Sequence, residues 1–180
     1  MKLLKFSTLV ATLAISIPAL SAGVCQHYPG STICGKGEVN NVTAYGVATL
    51  NGTTVDQTTD VSGALTAIDA NLNMASVKGS AILQNTTVNG TNHFFGGFNT
   101  KGSTFKKTLT ISSNDVTLVD TKTVDVLLGD VSPVGTQKLH LKGNTLINGD
   151  VTFKQGHGIV YLSGNAQVSG QVNGGKVVHE

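Results

Sequence analysis

The chain has 180 residues with 12 basic and 10 acidic side chains, every basic one a lysine, and only 5% aromatic residues with no Trp. Once a leader carrying Lys2 and Lys5 is set aside, ten lysines stand against ten carboxylates, and apart from Lys106-Lys107 they are scattered along the sequence. Nucleic-acid-binding proteins concentrate positive charge to displace counterions from phosphates, so a nucleic-acid partner is not expected.

Residues 1–22, "MKLLKFSTLVATLAISIPALSA", have a charged start, an apolar run broken by Pro18 and small residues at the end. This is the pattern of a secretory signal peptide. The apolar run is shorter than the roughly 20 residues that cross a bilayer, so no membrane span is expected after its removal. Val24 stands directly before Cys25, where lipid attachment wants a small residue, and lipidation is not expected either. The remaining 158 residues suffice for one domain with a substantial core, acting in the periplasm, at the cell surface or outside the cell.

The next segment, "CQHYPGSTIC", holds the two cysteines, Cys25 and Cys34, on either side of a Pro29-Gly30 turn. An even cysteine count in an exported chain predicts a disulfide, worth up to about 3 kcal/mol on the chain-entropy account. A redox or metal role beside His27 lacks a second pair of ligands. Residues 23–40 are therefore read as a disulfide-closed N-terminal cap, 41–177 as the main domain and 178–180 as a tail.

Within the main domain the chain repeats itself. "GVATLNGTTV" starts at Gly46, "GALTAIDANL" at Gly63, "GSAILQNTTV" at Gly79, "GSTFKKTLTI" at Gly102, "GNTLINGDVTF" at Gly143 and "GNAQVSGQV" at Gly164, in steps of 17, 16, 23, 41 and 21 residues. The longest step is close to two periods, and "NDVTLVDTKTVDVLL" supplies strand-like sequence in the gap. Thr, Val, Ile and Leu alternate with polar residues, and turn pairs such as Asn51-Gly52, Asn89-Gly90 and Asn148-Gly149 separate short strands. Leu65, Ile68, Leu72 and Ala75 also fit one helix face, but they occupy one place in the glycine register and are read as strand.

Self-similarity at this period predicts an all-β, single-stranded parallel β-helix, a β-solenoid of about six to seven coils. Val47, Leu50, Ile82, Leu83, Ile111, Leu118, Leu146 and Val168 are expected inside, with Asn and Gly at the corners. Leu141, Ile147, Phe153 and Ile159 follow the six-residue rhythm of left-handed solenoids, but the small residue after each is missing. Coils of 16 to 23 residues favour the right-handed class.

No catalytic, cofactor-binding or metal-binding set emerges, and an enzyme is not expected. His27, His93, His140, His157 and His179 lie in different coils, none at metal-ligand spacing. Asp115, Asp120, Asp125 and Asp130 recur every five residues, a spacing that alternates faces of a strand and suits turns better than a converged acid pair. β-Helix enzymes acting on polysaccharides need clustered acids in one groove. Thr108/Thr110 and Thr121/Thr123 suggest an ice-binding face, but β-branched residues belong in strands regardless.

The segment "LKGNTLINGDVTFKQGHGIVYLSGNAQVSGQVNGGKV" resembles the bactofilin-type, polymer-forming β-solenoids of bacteria, in which units like "GNAQVSGQVNGG" recur. The resemblance implies right-handed coils that join end to end. The leader and the cysteine pair depart from the family's mostly cytoplasmic members. Together these readings describe an exported, non-enzymatic structural or interaction module of the cell envelope, its partners being other copies of itself or an envelope or host-surface component. The rival reading is an adhesin or carbohydrate-binding β-helix using outward Asn and Thr rows.

Overall fold

The computed structural model describes residues 24–132 and 135–180. The signal peptide expected over residues 1–22 lies outside them. Every regular element among the described residues is a strand, and there is no helix. The stretch that also fits a helix face is strand: Leu65, Leu72 and Ala75 are buried, and Ile68 faces the opposite side.

Each coil crosses three faces. On face A, Thr32, Ala48, Leu65, Ala81, Phe98, Val116, Leu139, Val160 and Val177 form one parallel column. Face B stacks Val39, Val55, Leu72, Val88, Phe105, Thr123, Ile147 and Val168. Face C stacks Ala44, Val61, Val77, Phe94, Ile111, Leu128 and Phe153. The fold is a parallel β-solenoid of about nine turns, roughly 40 Å long at the usual strand spacing. That is more than the six to seven coils expected. The rows missing from the glycine register are the two ends, Ser31–Cys34 and Gly175–His179.

The register itself mixed two corners. Gly30, Gly46, Gly63, Gly79 and Gly96 stack where face C turns into face A, all at positive φ. Gly52, Asp69, Asn85, Gly102, Asp120, Gly143 and Gly164 occupy the turn from face A to face B, with φ between 48° and 71°. The step from Gly79 to Gly102 therefore jumps from one corner to the other. Along the second corner the coils measure 16 to 18 residues as far as Asp120, then 23 and 21. The five-residue Asp series marks turns of one coil: Asp115 opens its face A strand, Asp120 and Asp125 turn it, and Asp130 follows its face C strand.

Leu50, Leu83, Ile111 and Leu118 are buried as the alternation predicts, and Val168 packs half-buried on the core. Val47 and Ile82 instead face solvent, 46% and 53% exposed, and Leu146 also points outward. Neighbours in a strand take opposite sides, and Ala48, Leu83 and Ile147 take the inside. The narrow interior is widest in aromatic content at one coil. There Phe94, Phe98 and Phe105 arrive from faces C, A and B, with centroid separations of 4.5 to 6.3 Å and tilted or edge-on geometry, as ring quadrupoles prefer.

Beside the second corner, Thr53, Thr86, Ser103, Thr121 and Thr145 are buried, and their hydroxyls satisfy turn groups that the strand ladders cannot reach. Thr145 Oγ1 donates to Lys142 O at 2.7 Å and accepts from Thr121 N at 3.3 Å; Thr121 Oγ1 donates to Val119 O at 2.9 Å. At the N-terminal end, Cys25–Tyr28 runs antiparallel to Ser31–Cys34, and Cys25 and Cys34 are opposite each other and disulfide-bonded. This bond is consistent with an oxidising compartment.

Candidate interaction surfaces

Among the described residues, no three His, Cys, Asp or Glu side chains converge as a metal site would require. His27 Nδ1 lies 3.1 Å from Thr32 Oγ1. His93 stacks on Phe95 at 3.7 Å, with Nε2 3.3 Å from Ser112 Oγ; its burial, and then the charge of Lys154, hold its pKa below the ordinary histidine value. Thr121 and Thr123 are buried in the interior, so they form no outward threonine face.

Face C carries a groove of about 340 Å³ whose outward wall is the column Thr43, Asp60, Ser76 and His93, with Met74 beside it. Asp60 and His93 stand two rows apart in that column, about 10 Å at normal strand spacing.

Face A divides into two unlike halves. Across its first four rows the outward residues are Ser31, Ile33, Val47, Thr49, Ala64, Thr66, Ser80 and Ile82, and none is charged. The later rows present Asp115, Thr117 and Val119, then Lys138, His140 and Lys142, then Ile159 and Tyr161, then Lys176 and Val178. Lys138 and Lys176 share a column two rows apart, about 10 Å at normal strand spacing, and Lys142 lies four residues along the strand from Lys138, about 13 Å. Lys101 stands two rows from Lys142 in the latter's column.

Between these lysine columns the rings of His140 and Tyr161 stack at 4.7 Å and 7°, flanked by the half-buried Ile159 and Val178. Asp115 lies 3.8 Å from His140 Nε2, and Glu180 follows the last row. The result is four ammonium groups around an aromatic and aliphatic centre. A second groove, about 560 Å³, opens beside it between Ile159, Lys176 and His157. Its glycines have a packing cause, since Phe153 fills the space that a Cβ on Gly158 or Gly175 would need.

Sequence reasoning missed this strip. Lys138, Lys142 and Lys176 are scattered along the chain, and the coils joining their rows differ in length, 21 residues from Leu139 to Val160 and 17 from Val160 to Val177. No fixed period superimposes them.

The fold and its surfaces define a parallel β-solenoid with flat outward faces. No family model, no curated protein and no solved structure matches the chain.

Proposed function

We propose that the protein is an exported, non-enzymatic structural or interaction module of the bacterial cell envelope. The observation that supports this reading is the lysine-ringed aromatic strip on face A. It is an ordered surface built by rows far apart in sequence, and its chemistry suits docking an anionic partner rather than transforming one. Stacked strands fix the backbone positions of successive rows at constant spacing, so a partner meets an ordered framework and the ordering cost of binding is confined to the side chains.

The test is cosedimentation of the purified protein with washed insoluble envelope material from Gram-negative cells. Binding that disappears in the Lys138→Gln/Lys142→Gln/Lys176→Gln variant is expected. Equal binding by the variant, or none by the parent, would overturn the reading.

End-to-end association is a second component of the proposal, in keeping with the resemblance of the last third to bactofilin-type solenoids. It is supported by the outer edges of Gln167–Val168, Val172–Asn173 and Gly175–His179, which have no pairing strand among the described residues and leave Val177 42% exposed. Unpaired strand edges template association. Sedimentation velocity should show a concentration-dependent larger species; a monomer at every concentration removes this component.

A further inference from the structure

We infer that the face A strip binds an acidic polysaccharide, a linear chain of pyranose rings bearing carboxylates. The inference rests on the envelope-interaction reading above and names the ligand class for the same surface. A pyranose ring is amphipathic. Its axial C–H faces form apolar patches, and a uronic acid places a carboxylate at the ring's edge.

The strip has the matching arrangement. The edges of the Tyr161 and His140 rings, which cover each other face to face, and the side chains of Ile159 and Val178 offer an apolar floor along the middle column and beside it. Lys138 and Lys176 on one side and Lys142 on the other offer ammonium groups at the margins. Asp115, the carboxylate within these rows, is directed at His140 rather than at any of those lysines within ion-pair distance. Four lysines against Asp115, Asp120 beside the Lys101 and Lys142 column, and the trailing Glu180 leave the strip net positive.

Lysine is a compact point charge that serves carboxylate and phosphate alike. The apolar side chains between the lysine margins favour a sugar chain over a polyphosphate, because a polyphosphate has no apolar face to lay against them. Single exposed ion pairs contribute little, but a polymer engaging several at once converts the later contacts into intramolecular ones. The neighbouring groove at His157 and Lys176 lets the chain continue sideways over the corner that precedes face A.

The experiment is titration of the purified protein with polygalacturonate, dextran, polyphosphate, duplex DNA and anionic phospholipid vesicles. The expected result is binding to polygalacturonate that weakens as ionic strength rises, none to dextran, and at least tenfold weaker binding to polyphosphate, DNA and vesicles. Lys138→Gln/Lys142→Gln should lose at least tenfold. Tyr161→Ala should lose about tenfold while Tyr161→Phe keeps parental affinity, because the ring and not the hydroxyl supplies the floor. Matching thermal unfolding curves check that each variant is folded; should Tyr161→Ala unfold, Tyr161→Thr, which keeps strand propensity, takes its place.

No binding to polygalacturonate, equal or tighter binding of the other polyanions, or indifference to removal of the Tyr161 ring would each overturn the inference. If envelope cosedimentation persists and still depends on the lysines while polygalacturonate fails, the envelope reading stands and only the ligand class is wrong.

Discussion

The two corners of the solenoid look alike in sequence and differ in what they demand. Where face C turns into face A, a Cβ on Gly63 would sit 1.9 Å from the Gly46 carbonyl oxygen, and one on Gly79 2.0 Å from that of Gly63. Glycine there is required by space as well as by dihedral angle. Where face A turns into face B the backbone is left-handed in the seven turns from Gly52 to Gly164, yet Asp69, Asn85 and Asp120 serve beside Gly52, Gly102, Gly143 and Gly164. Asn and Asp tolerate that conformation because their short polar side chains bond locally. Here they also bond from coil to coil: Asn85 Nδ2 donates to Asp69 Oδ1 at 3.1 Å, and Asp120 Oδ1 accepts from Asn144 N at 2.8 Å. At the first corner an added Cβ meets backbone, whereas at the second it meets side-chain oxygens of Asn85 and Asp120 at Gly102 and Gly143 and only ordinary contact with Lys36 at Gly52.

The largest effect should come from the crowded corner. Gly63→Ala pushes a methyl into the carbonyl of the row below, with no flexible atom to yield, and should cost about 3–5 kcal/mol, the extreme of single-substitution effects. Urea unfolding followed by circular dichroism measures it. A loss under about 1 kcal/mol would show that the rows can slide apart and that the glycine column is not held by contact.

Next comes the hydroxyl column that serves the second corner. Thr145→Val removes the donor to Lys142 O and the acceptor for Thr121 N at a fully buried site, which should cost about 2 kcal/mol. The same change at Thr100 should have the opposite sign. Its hydroxyl is buried in the Leu83–Leu118 column without a partner, so Thr100→Val should stabilise the protein by about 1 kcal/mol. If both substitutions destabilise equally, the Thr100 hydroxyl is hydrogen-bonded after all and the contrast between the two sites fails.

These contrasts explain what the sequence could and could not reveal. The solenoid was legible because its strands alternate with period two and its corners are marked by Gly, Asn and Asp, as at Asn51-Gly52 and the Asp115 to Asp130 series. The row assignment was not, because glycine has two separate causes here and the letter does not say which. Val47, Ile82 and Leu146 misled for a related reason: in an apolar pair such as Ile82-Leu83, hydrophobicity alone does not say which member the strand turns inward. The lysine strip was illegible because Lys138 and Lys176 become neighbours only through coils of unequal length.

A smaller effect separates strain from lost bonding at the second corner. Asp120→Ala keeps the left-handed turn but removes the acceptor for Asn144 N. The combined cost of the Cβ in that region and the lost bond should be about 1–2 kcal/mol. Asp120→Asn should recover most of it, since the amide oxygen can take the same hydrogen bond.

The smallest expected change is the most discriminating. Gly52→Asn places a side chain at the first position of the second corner, where an added Cβ meets only the Lys36 Cβ at 3.5 Å, an ordinary van der Waals contact, and where φ is 65°. Asn already holds this conformation at Asn85, so the substitution should lie within about 0.5 kcal/mol of the parent, with reduced freedom in the unfolded chain offsetting the residual cost of positive φ. Measured against Gly63→Asn at the crowded corner, where φ is 145° and an added Cβ would sit 1.9 Å from the Gly46 carbonyl oxygen, the pair contrasts a site that refuses a side chain on both counts with one that accepts it on both. Comparable losses at both sites would mean that any side chain is equally costly at either corner, and the distinction between the corners would collapse.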